Sequence, residues 1–109
     1  QRDFTYIDDI VEGVVRVLLK PLCRADQIPF RVYNIGNGHP VGLRDFVHAV
    51  ERATQKTAQL ELLPLQPGDM YRTWSDTSKL KRDYDFLPST PLELGVKNFV
   101  DWYRGFYGE

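Results

Sequence analysis

The sequence predicts a small domain of the α/β class, an α+β arrangement of about four helices and three or four short strands. Three observations carry that reading: apolar residues recur with helical period in several stretches, shorter runs alternate apolar and polar residues, and clusters of Gly, Pro, Asn and Asp separate them.

The chain opens on RDFTYI, where Phe4 and Tyr6 alternate with polar neighbours as in a short strand. Ile10, Val11, Val14, Val15, Leu18 and Leu19 then follow the period of a helix, with Asp9 and Glu12 spaced as a capping-box pair and Pro21 as the stop. FRVYNI, residues 30–35, alternates again and predicts a second strand, and PVGL is a short extended link. The second helix carries Leu43, Phe46, Val47, Val50 and Thr54 along one stripe, with Arg44, His48, Glu51 and Arg52 on the other side. AQLELLPL reads as a strand ended by Pro64, followed by the turn QPGD. TWSDTSKLKRDYDF holds a short helix capped by Ser75 or Asp76. The last helix has Thr90 as its cap, Pro91 at the first position and Glu93 at the third, with Leu92, Val96, Phe99, Val100 and Tyr103 in register.

With 109 residues, 42% of them hydrophobic, the chain suffices for one modest core and not for two. Its 14 basic and 15 acidic side chains nearly cancel. No Lys/Arg run exceeds KLKR, residues 79–82, which reads as a solvated helix face, so no nucleic-acid partner is expected. No apolar run approaches the ~20 residues that span a bilayer, so no membrane partner is expected either. The single cysteine, Cys23, has no partner for an internal disulfide and no zinc-site spacing around it, which fits a reducing, cytoplasmic setting. Starting on Gln1 and passing directly into RDFTYIDDI, the sequence reads as a piece of something longer.

The stretch FRVYNIGNGHPVGLRDFVHAV raises the question of a dinucleotide cradle. The pattern G-x-G-x-x-G uses glycines to bring backbone amides close to a pyrophosphate. Here Gly36 and Gly38 are in place, but Val41 stands third and Gly42 one residue late, so the glycines read as turn geometry ahead of a helix. No G-x-S-x-G surrounds a serine, and no tyrosine is followed four residues later by lysine. His39 and His48 lie too far apart to share a metal on one helix face, and Asp8 and Asp9 are explained by the start of a helix. No catalytic, metal or cofactor-binding residue is therefore expected in the chain. Two binding features remain. Arg2 has the fork that suits phosphate oxygens, and QPGDMYRTWSD concentrates Gln66, Asp69 and Arg72 beside a Pro-Gly bend, where a carboxylate can accept from a diol.

In order, RDFTYIDDIVEGV, YNIGNG, LPLQPGDMYRTWSDTSKL and the aromatic-rich last helix resemble the C-terminal part of extended short-chain dehydrogenase/reductases acting on nucleotide sugars. Among these, the chain is most similar to bacterial UDP-glucuronate 4-epimerases, over essentially its whole length. The resemblance implies an N-terminal Rossmann domain, outside this chain, that binds NAD and carries the Tyr-x-x-x-Lys pair. It implies a UDP-sugar substrate, over which the present residues close, and a homodimeric parent enzyme. Arg2 would contact the diphosphate, Phe4 would lie near it, Leu43 would pack on the uracil and Asp69 would bind the ribose hydroxyls. Gln66 stands where UDP-galactose epimerases carry a second phosphate-binding arginine, which leaves open whether Gln66 or Arg72 serves there. NIGNG would be the turn before the helix bearing Leu43, on the substrate side. In the parent enzyme NAD would remove hydride from C4 of the sugar, and the 4-keto intermediate would rotate and be reduced from its other face. A nucleotide-sugar 4,6-dehydratase or a UDP-glucuronate decarboxylase shares this pattern. A non-catalytic module recognising UDP-sugars or a protein is the alternative of another kind.

Overall fold

The computed structural model describes residues 1–22 and 30–108; Cys23 lies outside the described residues. Four helices follow in order: α1 (Ile7–Leu19), α2 (Leu43–Thr54), α3 (Ser78–Tyr84) and α4 (Leu92–Tyr107).

Helices α2 and α4 form the centre. Ala49 is buried against Val96 and Val100, and Phe46, Val50, Ala53 and Leu92 close around them. The small Ala49 side chain lets the two helices approach, so the contact is centred there. Leu43, expected in the same stripe, stands about 9 Å of helix rise away and is exposed. On α4 the period places Val96 and Val100 correctly, but Phe99 faces outward, where its ring lies 5.7 Å from Trp102 and 6.4 Å from Tyr103.

The ends of the helices differ from the expected caps. Helix α1 begins after Tyr6, so Asp9 lies inside it, and its carboxylate accepts the N–H groups of Ser89 (3.1 Å) and Thr90 (2.9 Å) just ahead of α4. Asp9 therefore ties α1 to α4. Pro91, not Thr90, is the N-cap of α4. Thr77 is the N-cap of α3, and Asp76 accepts the Ser78 N–H at 3.0 Å, a bond that holds its carboxyl below the usual carboxylate range. KLKR is only partly a solvated face. Leu80 is fully buried, and the Lys79 ammonium donates to the Val32 carbonyl at 2.8 Å while lying 4.8 Å from the centre of the Tyr33 ring.

The strands expected at RDFTYI, FRVYNI and AQLELLPL do not form. Among the described residues, β pairing is a single antiparallel bridge between Arg2 and Val41, with an N–H donated in each direction at 3.0 Å. Alternation favours an extended backbone, but a strand is completed only by a ladder with a neighbour, and these segments do not pair with one another. Residues 30–35 are held instead through side chains, with the Tyr33 hydroxyl donating to Asp83 at 2.9 Å. In the third segment Leu60, Leu62 and Leu63 are all exposed.

The radius of gyration is 17.5 Å, against about 13 Å for a closely packed chain of this length. Much apolar surface is accordingly uncovered. On α1 only Gly13 is buried, with Ile35 and Phe86 packed where its side chain would be, while Val11, Val14, Val15, Leu18 and Leu19 are exposed. No described helix is long and apolar enough to cross a membrane.

Candidate functional site

Residues 66–69 make a tight turn closed by the Asp69 N–H on the Gln66 carbonyl at 3.1 Å. Pro67 sets the first bend, and Gly68, at φ +89°, supplies the left-handed second one that a side chain resists. The reversal brings Asp69 against Arg2. The guanidinium Nη2 donates to Asp69 Oδ1 at 2.6 Å, and Nη1 donates to the carbonyls of Met70 (2.5 Å) and Gln1 (3.0 Å). Asp69 Oδ1 also accepts the Met70 N–H at 2.8 Å. The Arg2 backbone is fixed by its two-way bridge to Val41, two residues ahead of Leu43 and α2.

The two side chains keep 34% and 47% of their surface exposed, so the pair can still be reached by a ligand. Arg2 donates three of its five N–H groups, which leaves two, and Asp69 Oδ2 accepts no hydrogen bond from the described residues. Donors suited to phosphate and an acceptor suited to a hydroxyl thus stand side by side.

Asp3, next in sequence to Arg2, was not singled out by the sequence. Its Oδ2 accepts the Gly38 N–H at 3.0 Å and the Ser75 N–H at 2.9 Å, across separations of 35 and 72 residues. Nothing local in the sequence signals contacts so distant. Thr5 Oγ1 accepts the Asn37 N–H at 3.2 Å. Two of the NIGNG amides, those of Asn37 and Gly38, are therefore engaged by Thr5 and Asp3. Gly36 is needed for another reason: a β-carbon there would crowd Ser75 Cβ and stand 2.9 Å from Ser75 Oγ and 3.0 Å from Asp3 Oδ2.

The other sequence-derived candidates are dispersed around this shelf. Phe4 is half-buried and stacks on Phe46, with ring centres 4.4 Å apart, at the edge of the α2–α4 core. Leu43 is exposed in the first turn of α2. Gln66 contributes its backbone carbonyl to the turn while its side chain is exposed. Arg72 lies 5.0 Å from the centre of the Trp74 ring. His48 is exposed and within 2.9 Å of Glu51. The Glu51 carboxyl is held below its ordinary range by the Ala58 N–H first and by His48 second.

An apolar groove of about 710 Å³ runs between α2, α4 and residues 4–7, and a hollow of about 690 Å³ opens beside His39, His48, Arg52 and Glu93. Phe4 lines both, whereas Arg2, Leu43, Gln66 and Asp69 line neither. The Arg2–Asp69 site is an open shelf.

No protein-family model matches the chain. Among curated proteins it is 42% identical to protein CapI of Staphylococcus aureus, over 97% of this chain and 35% of that protein. It is 37% identical to UDP-glucuronate 4-epimerase 2 of Arabidopsis thaliana, over 97% of this chain and 26% of that enzyme. Among solved structures, the UDP-glucuronic acid 4-epimerase of Bacillus cereus in complex with UDP-glucuronic acid and NAD matches with a TM-score of 0.79 at 30% identity, over 96% of this chain and 32% of that one. The chain thus spans about a third of the length of CapI and of the solved epimerase. Sequence and fold together define the class by likeness: the relatives and structural neighbours include epimerases of the extended short-chain dehydrogenase/reductase family, and the chain matches their C-terminal part. Within that class, the relatives above that carry an activity in their names are UDP-glucuronate 4-epimerases.

Proposed function

We propose that the chain is the substrate-binding part of an NAD-dependent UDP-glucuronate 4-epimerase. The observation that supports this most is the Arg2–Asp69 pair, which among the described residues leaves two guanidinium N–H groups and one carboxylate oxygen without a partner on a single exposed shelf. The Arg2 fork would take the diphosphate, and Asp69 Oδ2 would accept from the ribose diol. Leu43, exposed two residues beyond Val41, would cover the uracil. Phe4, stacked on Phe46, would back the segment that carries Arg2 rather than touch the ligand. Gln66 shapes the turn that presents Asp69, and Arg72 lies over the Trp74 ring.

NAD, held by an N-terminal Rossmann domain outside these residues, would supply the hydride chemistry at C4 of the sugar. The chain's own residues would bind the nucleotide and fix the sugar's orientation. The parent enzyme would be a cytoplasmic homodimer.

The test is product analysis with the longer protein that contains this chain, given UDP-glucuronate and NAD. Epimerisation gives a product of unchanged mass whose C4 proton shows a different coupling by NMR. Loss of carbon dioxide would make the enzyme a decarboxylase, and loss of water a dehydratase. UDP-sugar binding without turnover would indicate a non-catalytic module.

A further inference from the structure

We propose that Asp3 is a positioning residue for the nucleotide shelf, fastening together the three segments that carry Arg2, Leu43 and Asp69. The inference rests on the reading of that shelf as the nucleotide site. One oxygen, Asp3 Oδ2, receives N–H groups from both Gly38 and Ser75. Gly38 leads through His39 and Pro40 to Val41, whose N–H and carbonyl hold the Arg2 backbone. Ser75 lies on the segment returning from Asp69. The carboxylate therefore closes a ring: Arg2 to Val41, Gly38 to Asp3, Asp3 to Ser75, and Asp69 back to Arg2.

Two further observations support this. Asp3 Oδ1 is buried, so the carboxylate is enclosed by the segments it joins. Gly36 is packed so closely on Ser75 and Asp3 that a β-carbon has no room, so the segments meet with little slack. Asp3 need not touch the ligand. It would set the spacing at which Arg2 and Asp69 face it.

Two arms test the proposal. In the chain itself, amide hydrogen exchange compares wild type with Asp3→Ala and Asp3→Asn. Asp3→Ala is expected to lose protection at Gly38 and Ser75 and also at Arg2 and Val41, whose own bonds the substitution does not remove. Asp3→Asn keeps an acceptor oxygen and should restore protection. Loss confined to Gly38 and Ser75 would overturn the proposal. In the longer enzyme, Asp3→Ala should raise KM for UDP-glucuronate by about tenfold, leave kcat within about threefold, and be largely rescued by Asp3→Asn. An unchanged KM would overturn the proposal, as would a fall confined to kcat. If wild-type enzyme does not bind UDP-sugars at all, the functional reading fails, while the exchange pattern at Arg2 and Val41 still decides whether Asp3 positions the shelf.

Discussion

Removing either member of the Arg2–Asp69 pair separates two accounts of what the pair is for. As an ion pair it is 34% and 47% exposed, so solvent screens it, and its contribution to stability should stay below about 1 kcal/mol. As a ligand site it offers charge-assisted hydrogen bonds worth roughly 1.5 to 3 kcal/mol each, so Arg2→Ala or Asp69→Ala should weaken UDP-sugar binding by about ten- to a hundredfold. The two effects differ enough to be told apart. Because Nη2 and Oδ1 are only 2.6 Å apart, each side chain also orients the other. The double variant should therefore lose less than the sum of the single losses. The assay is calorimetric titration of the longer enzyme with UDP, alongside thermal unfolding of each variant, with NAD affinity as the control expected to stay constant. Near-normal UDP affinity or KM in both single variants would reduce the pair to a surface contact and remove the main support for this shelf as the nucleotide site.

The isolated chain should show no saturable NAD binding at micromolar concentration by calorimetry, because the Asn37 and Gly38 amides are already engaged by Thr5 and Asp3. Gly36→Ala should destabilise by about 1 to 3 kcal/mol through crowding against Ser75 and Asp3, whereas Gly105→Ala, with open space around it in α4, should stabilise by about 0.5 to 1 kcal/mol; thermal unfolding reads both. Asp83 is held below the usual carboxylate range by Arg82 first and by the Tyr33 hydroxyl second, and Asp85 by Lys81. Lowered values in the folded state mean that the unfolded chain takes up protons first as the pH falls. The stability these groups contribute is thus present above pH ~4 and lost as the pH falls through their lowered values, and Asp83→Asn should flatten the acid limb of a plot of Tm against pH.

What could be read in advance follows from how local each signal is. The four helices are written in their own residues, because a period of 3.6 and a stop such as Pro21 need no partner. The QPGD turn was equally legible, since Pro67 and Gly68 determine its bend. Asp9 differs from its expected role because a carboxylate in a first helical turn looks the same whether it caps its own helix or reaches Ser89 and Thr90. The strands failed for the opposite reason. Alternation in FRVYNI or AQLELLPL describes a chain prepared to pair, and no pairing partner for either lies among the described residues. Arg2 and Asp69 each carry a chemistry visible in the sequence, but their direct contact across 67 residues belongs to the fold. Asp3, whose bonds reach equally far, left no local trace.

The pairing of Arg2 with Asp69 also bears on how a ligand would reach the shelf. Long-range attraction speeds encounter only where a site's field is uncompensated, and here each charge is cancelled by its neighbour on a chain of net charge −1. The pair itself would therefore add little steering to an anionic nucleotide. Selection would then fall to contact. A ligand carrying both a phosphate and a diol engages both halves of the pair, while inorganic phosphate meets the arginine together with a carboxylate that repels it. Cancelling its own charge would thus make the shelf a poor trap for simple anions and reserve it for nucleotides.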